Sequence, residues 1–314
     1  MRALADSGHE LVAADMSEMA SGRFLVPRER RVLLRPGAHP QFVPQLMLAC
    51  AELGIDTVLP TVDAELLPLA EASRDLRSRG IELVAPGTKA LRTCLDKFQL
   101  FVLACGHVPC PRTALFGRSF DPNGWRFPLI VKPRRGSGSR GVIQVQSERE
   151  LRQLERSPDL IVQQFLPGME YSVDVLAQGN GEMLVAVPRS RLATDSGVSV
   201  CSQTHFDPEL IELARRACEI VGLRFVANVQ FKRDASGRPK LMEINPRIPG
   251  TIGLTVAAGT NLPALSLDVL DGHVIPKEAL KFRELAVVRM LTEVFVDPLE
   301  FQQCTRPEPL QASA

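Results

Sequence analysis

Leu241-Met-Glu-Ile-Asn-Pro-Arg247 and, just upstream, Phe225-Val-Ala-Asn-Val-Gln-Phe231 decide how the rest of the chain is read. Both alternate apolar and polar side chains, the period of a half-buried β-strand. Between them, Lys232-Arg-Asp-Ala-Ser-Gly-Arg-Pro239 carries a turn-forming Asp-Ala-Ser-Gly core, so the spacing predicts a β-hairpin. Asn228, Gln230, Glu243 and Asn245 alternate in phase, which puts a carboxylate and several amides on one face. Such oxygen donors suit a hard cation such as Mg²⁺, usually shared with substrate phosphates. Arg247 adds a fixed positive charge where an anion could sit beside the metal. A merely solvated hairpin face is the competing reading. Against it, Pro246 and Pro249 end the strand where a site could open.

With 314 residues there is room for a sizeable core and more than one domain. A net charge of +1 gives no argument for nucleic acid or an anionic membrane surface as partner. Apolar residues at 45% and charged ones at 23% are ordinary for a soluble globular chain. No apolar run approaches the length of a membrane span, and the N-terminus lacks a signal-peptide pattern. Seven cysteines at irregular spacing fit reduced thiols, so a cytoplasmic location is expected. Cys105 and Cys110 lack a matching second pair for zinc.

From the N-terminus, a helix end at Met1 to Ser7 is closed by Gly8, and Leu11 to Ala14 reads as a strand ending at Asp15. Helices at Gln41 to Leu53 and Glu65 to Arg79 alternate with strands at Thr57 to Pro60 and Ile81 to Ala85. This order argues for a doubly wound parallel sheet. Such a unit normally opens with a strand and a Gly-rich turn, and here neither precedes the first helix. Either the start is late or the first strand is lost, and its loss would leave a gap in mid-sheet.

Thr88 to Gly106 is read as one helix containing Asp96-Lys97-Phe98, followed by a Pro-rich connector at Val108 to Thr113. A strand at Leu129-Ile-Val-Lys132 leads into Pro133-Arg-Arg-Gly-Ser-Gly-Ser-Arg-Gly141 and a strand at Val142 to Val145. A Gly-Ser loop rich in backbone donors and arginines can close over phosphates as a lid. It departs from the P-loop pattern, since its lysine lies on the preceding strand, as in kinases. A helix at Glu148 to Arg156 and strands at Leu160 to Leu166, Tyr171 to Leu176 and Leu184 to Val187 follow. The turn at Pro167-Gly-Met-Glu170 can hold a purine by its backbone, with Glu170 on ribose hydroxyls.

Taken together, Asp96-Lys-Phe98, Val131-Lys-Pro133, Gly136 to Gly141, Gln163-Gln-Phe-Leu-Pro-Gly-Met-Glu170, Asn228-Val-Gln230 and Glu243-Ile-Asn-Pro-Arg247 resemble the ATP-grasp enzymes. The similarity is to one half of the carbamoyl phosphate synthase large subunit and related single-chain carboxylate–amine ligases, and runs from about Leu11 to Val296. It implies an α/β chain of the α+β ATP-grasp type. Residues 1–87 would form a Rossmann-like domain lacking its first strand. Residues 88–185 would carry the lysines, lid and adenine hinge, 186–300 the Mg²⁺-binding strands, and 301–314 a tail.

The resemblance also implies roles. Lys97 and Lys132 would contact the nucleotide phosphates, with Ser137, Gly138 and Ser139 in the lid. Gln163 would accept from the adenine amino group, Gln164 and Leu166 would meet the adenine edge through their backbone, and Glu170 would bind ribose. Gln230, Glu243 and Asn245 would hold Mg²⁺, with Mn²⁺ as a substitute, and Arg247 would steady the transferred phosphate. Many relatives carry Glu at Gln163 or Gln164, but a Gln carbonyl accepts the same hydrogen bond. Pro188 to Gly197 resembles a loop richer in Gly in relatives, with Arg189 and Arg191 either facing substrate or solvated. His205 reads as a surface histidine.

The implied activity is ligation of a carboxylate to an amine through an acyl phosphate, using ATP and Mg²⁺. A carboxyphosphate enzyme using bicarbonate and an inactive ATP-binding protein are the alternatives. Small-molecule acid and amine substrates are the implied partners, with neither nucleic acid nor membrane, and a homodimer is a common assembly of relatives.

Overall fold

The computed structural model describes residues 1–299 and 301; the expected tail at 301–314 falls outside the described residues except for Phe301. The first residues form only a 3₁₀ turn, Arg2–Leu4, in place of the expected helix end. So short a stretch cannot repay the cost of helix nucleation. Strand β1 (Ala13–Asp15) pairs in parallel with β2 (Arg31–Leu33), a strand that the sequence reading leaves as loop. Helix α1 (Phe42–Leu53) stops at Gly54, whose φ of 65° is a left-handed conformation that glycine adopts without penalty.

Strand β3 (Thr57–Val58) pairs in parallel with β4 (Glu82–Leu83). The single helix expected between them is two, α2 (Asp63–Glu71) and α3 (Ser73–Ser78), separated at Ala72. The β1–β2 and β3–β4 pairs are separate sheets, with no hydrogen-bonded strand joining them among the described residues. A cavity of about 1350 Å³ lies there, lined by Leu11 and Val12 at the head of β1, by Ile55 and Thr57, and by Ile252 and Leu267.

The helix expected over Thr88 to Gly106 is also divided, into α4 (Thr88–Cys94) and α5 (Lys97–Ala104). Asp96 restarts it, its carboxylate accepting from the Phe98 and Gln99 amides as an N-cap. An antiparallel four-stranded sheet follows, from β5 (Thr113–Leu115), β6 (Leu129–Pro133), β7 (Ile143–Val145) and β8 (Leu160–Gln164) in the order β5-β8-β6-β7. Helix α6 (Glu148–Leu151) is shorter than expected and is capped by Ser147.

The second large sheet contains β9 (Glu170–Ala177), β10 (Met183–Asp195), β11 (Val198–Thr204), β12 (Phe225–Arg233), β13 (Pro239–Asn245) and β14 (Ala286–Val288). Its order is β13-β12-β9-β10-β11-β14. Most of Pro188 to Gly197, expected as a loop, is instead the second half of β10, paired with β11. The division expected between 185 and 186 therefore falls inside a strand, because the β9–β10 pairing runs across it.

One face of this sheet packs on α5 and on α7 (Pro208–Val221): Val173, Val175, Val229 and Phe231 meet Leu210, Ala214 and Ala217. Each buried Val, Leu or Phe among them contributes roughly 1.5–3 kcal/mol. The opposite face is apolar only at one end, where Leu176, Val187 and Val226 lie under α9 (Leu262–Leu270); α8 (Gly253–Ala257) precedes it. At the other end of this face stand Gln230 and Glu243, cross-strand partners, with Asn228 opposite Asn245. A register shift between Gln230 and Phe231 pairs Phe231 with Leu241 and leaves Met242 as the extra residue, so Leu241 turns to the helix side while Glu243 keeps the polar face.

Among the described residues no helix is long and apolar enough to cross a membrane. Cys50, Cys94, Cys105, Cys110, Cys201 and Cys218 are free thiols.

Candidate active site

The hairpin of β12 and β13 brings the polar set together as its periodicity requires. Gln230 Nε2 donates to Asn228 Oδ1 at 3.3 Å, and Asn245 Nδ2 donates to Glu243 Oε1 at 3.1 Å. Each of the Gln230 and Asn245 amides thus uses its N–H₂ on a protein neighbour and keeps its carbonyl oxygen for another partner. Among the described residues no group of three or more His, Cys, Asp or Glu is placed to hold a metal ion. The site offers one carboxylate and two amide oxygens, a set of hard oxygen donors that could hold a cation such as Mg²⁺.

Lys97, the first residue of α5, reaches this set from the other side. Its Nζ lies 3.6 Å from Glu243 Oε2 and donates to the Gly136 carbonyl at 2.6 Å. Lys132 on β6 is buried. Burial pushes its ammonium down to about 8, with Lys97 acting in the same direction and Glu243 opposing. A lysine from helix α5, a lysine from β6 and a carboxylate from β13 therefore share one small volume, a cationic seat beside the oxygen donors of the hairpin.

The loop between β6 and β7 is held at its root by Asp96. Arg134 Nε donates to Asp96 Oδ1 at 2.6 Å and Arg135 Nη2 to Oδ2 at 3.1 Å. These two loop arginines therefore anchor the loop rather than lie free over it. Farther along, Gly138 faces the turn between β10 and β11. A Cβ on Gly197 would lie 3.0 Å from the Gly138 carbonyl carbon and 3.2 Å from Ser139 Oγ. Ser137 stands beside them in the same loop.

On β8, Gln163 donates from Nε2 to Thr113 Oγ1 at 2.9 Å, while its Oε1 is buried with no partner. An orphaned buried acceptor is costly unless a ligand donor meets it. The neighbouring Gln164 faces outward and accepts from the Arg112 amide at 3.3 Å, and Leu166 is buried. Glu170 opens β9 and forms an ion pair with Arg191 at 2.8 Å. Arg191 also donates from Nη2 to the Gly197 carbonyl at 2.8 Å.

Neither β10 arginine is solvated. Arg189 is fully buried and forks onto Asp174, Nε to Oδ2 at 2.9 Å and Nη2 to Oδ1 at 3.0 Å. His205 is half-buried, its Nε2 3.1 Å from Ser190 Oγ, so it is not a free surface histidine. Arg247 pairs with Asp63 in the first turn of α2. Asp63, Asp96 and Asp174 had no assigned role in the sequence reading. Asp96 carried a legible N-cap signal, and Asp174 alternates in phase with Ser172 on β9, but Asp63 lies too far along the chain to be linked to Arg247.

A family profile described as "ATP-grasp in the biosynthetic pathway with Ter operon" matches residues 156–294, which include Gln163 through Arg247. The D-alanine–D-alanine ligase of Stutzerimonas stutzeri (strain A1501) is 30% identical over 225 residues, 62% of this chain and 70% of that ligase. Among solved structures, the biotin carboxylase domain dimer of Hydrogenobacter thermophilus 2-oxoglutarate carboxylase, in complex with MgADP, ADP and bicarbonate, has a TM-score of 0.71 at 19% identity, covering 90% of this chain and 69% of that one. Carboxyaminoimidazole ribonucleotide synthase from Aspergillus clavatus, complexed with ATP, has a TM-score of 0.72 at 17% identity, covering 90% and 75%. With two lysines, a glycine loop and an amide–carboxylate hairpin brought together, and a 30% identical relative covered over 70% of its length, the chain belongs to the ATP-grasp family of ligases.

Proposed function

We propose that the protein is an ATP-dependent carboxylate–amine ligase that works with Mg²⁺ through an acyl phosphate. The observation that carries this reading is the approach of Lys97 Nζ, at the start of α5, to Glu243 Oε2 on β13, at 3.6 Å. It sets a phosphate-binding cation directly opposite the carboxylate of the proposed metal set. The orphaned Gln163 Oε1 supports the nucleotide assignment, since the adenine amino group would supply its missing donor. Gln164 and Leu166 would meet the adenine edge through their backbone, Glu170 would take the ribose hydroxyls, and Ser137, Gly138 and Ser139 would cover the phosphates.

Gln230, Glu243 and Asn245 would hold the cation, which when bound neutralises charge on the phosphate oxygens. Lys97 and Lys132 hold the phosphates in line with the acceptor. The acceptor carboxylate oxygen bonds to the γ-phosphorus as the bond to ADP breaks and ADP leaves with the electron pair. The amine nitrogen then attacks the acyl carbon, inorganic phosphate leaves with the C–O electron pair, and the amine gives up a proton. Arg247 faces the charge that grows on the transferred group. Closure of the glycine loop would keep water from hydrolysing the intermediate.

The sequence relative is a D-alanine–D-alanine ligase, so amino acids head the panel of acids and amines to be offered. The test is phosphate release from Mg-ATP against amino acids, small carboxylic acids and bicarbonate, with Glu243→Ala as control. Release that needs both an acid and an amine, and disappears in the variant, is expected. Release on bicarbonate alone would move the assignment to a carboxyphosphate enzyme. ATP binding with no stimulated release would mark an inactive nucleotide-binding protein.

A further inference from the structure

We infer that Asp174, through Asn228, is the positioning residue that turns the Gln230 carbonyl toward the cation. The inference rests on the reading of Gln230 as a metal ligand given above. Asp174 is fully buried on β9 and accepts four hydrogen bonds: two from Arg189, one from Asn228 Nδ2 at 2.6 Å and one from Thr255 Oγ1 at 2.6 Å. Its register neighbours are Asn228 on β12 and Val187 on β10, so it stands at the seam between the polar and apolar ends of this face.

The chemistry of the donors fixes the direction of every amide along this line. Every hydrogen bond to Asp174, from Arg189, Asn228 and Thr255, is donated to its carboxylate oxygens, so Asp174 acts here as an acceptor. Asn228 must therefore present Nδ2 to it, and Oδ1 then faces the other way. Asn228 Oδ1 is an acceptor only, so Gln230 must present Nε2 to it, as observed at 3.3 Å. Gln230 Oε1 is left as the atom facing the site. Were Asn228 absent, the Gln230 amide could turn over at little cost and present N–H₂, which repels a cation. Asn228, only 3% exposed, is thus withdrawn from the ligand set although it shares the strand face with Gln230. Thr255 extends the same control to α8, which follows the Arg247 loop.

Metal binding tests the inference without turnover. Mn²⁺ would be titrated into the protein with ADP and followed by electron paramagnetic resonance. Asn228→Ala is expected to weaken Mn²⁺ binding about 10-fold or more, the usual effect of removing an outer-shell partner. Gln230→Glu carries an oxygen at both positions of its terminal carboxylate and needs no orienting. In that background Asn228→Ala is therefore expected to change Mn²⁺ binding by less than about 2-fold. Asn228→Ser, which is also too short to reach Gln230, serves if the alanine variant unfolds, and thermal denaturation checks each fold.

An equal loss in both backgrounds, or no loss in either, overturns the positioning role. Wild-type protein that binds no Mn²⁺ with ADP, or binding unchanged by Glu243→Ala, would instead remove the metal assignment on which the inference rests.

Discussion

Arg247 donates from Nε and Nη2 to the two carboxylate oxygens of Asp63, at 2.7 and 3.1 Å, across 184 positions of sequence. A two-pronged pair of this kind sets the plane of the guanidinium as well as its place. The arginine at the end of the β12–β13 hairpin is thereby oriented by the first turn of α2, an element of the N-terminal sheets. Asp63→Ala is expected to cost about 1–3 kcal/mol of stability, measured by urea unfolding. In an Arg247→Ala background the same change should cost much less, since the pair is already broken. Equal costs in the two backgrounds would show that Asp63 acts through its helix end instead.

The buried Lys132 makes nucleotide binding pH-dependent with a definite sign. Its ammonium sits near 8 in the folded chain against 10.5 ordinarily, so the unfolded chain holds the proton more tightly. This lysine therefore lowers stability below about pH 8, and that penalty is relieved as pH rises from 8 toward 10.5. Phosphates favour the charged form, so ATP binding is expected to take up protons near and above pH 8. Calorimetry in buffers of different ionisation enthalpy would detect the uptake. Lys132→Met should abolish it.

Glu243 supports Lys132 as well as serving, in the proposed reading, as a ligand of the cation. Its carboxylate opposes the downward push of burial on the lysine, so Glu243→Gln is expected to move Lys132 further down. The same variant should weaken Mn²⁺ binding by more than the roughly 10–100-fold that loss of an outer-shell partner costs. Proton uptake and metal titration on one preparation would read both effects.

Asp96 carries two duties on one buried carboxylate, capping α5 and gripping Arg134 and Arg135 at the root of the glycine loop. Burial alone would raise its carboxyl. The hydrogen bonds from Arg134 and the Gln99 amide, with the charges of both arginines, outweigh burial and hold it below the ordinary 3.8. Its contribution is therefore complete above that value and lost as pH falls below it. Asp96→Ala is expected to cost about 2–4 kcal/mol from the cap and the charged hydrogen bonds together. Acid titration of unfolding free energy would show the missing component below pH 4.

Much of this was legible because strand alternation is a local property. The in-phase residues Gln230 and Glu243 were enough to place the hairpin and its polar face. What escaped depended on distant partners. Pro188 to Gly197 looks like a loop because an arginine and serines stand where a buried strand usually has apolar side chains. Arg189 belongs in the sheet only because Asp174, on the neighbouring strand, neutralises it. The break at Asp96 was hidden by apolar residues that continue the helical period on both sides of the cap. Asp63 carries no mark in its own neighbourhood of the arginine it holds.

Arg191 touches both Glu170 and the Gly197 carbonyl, while Gly197 lies against Gly138. The proposed sugar seat and the proposed phosphate cover are consequently joined by one guanidinium and a glycine-to-glycine seam. Ribose hydroxyls drawing on Glu170 would loosen its hold on Arg191, and the change would pass to the hairpin tip and from there to the loop. A nucleotide without those hydroxyls would fill the base and phosphate positions yet leave the seam fastened. The protein would then tell ATP from a dideoxy analogue by the hydrogen exchange of residues 136–141, a stretch the sugar never touches.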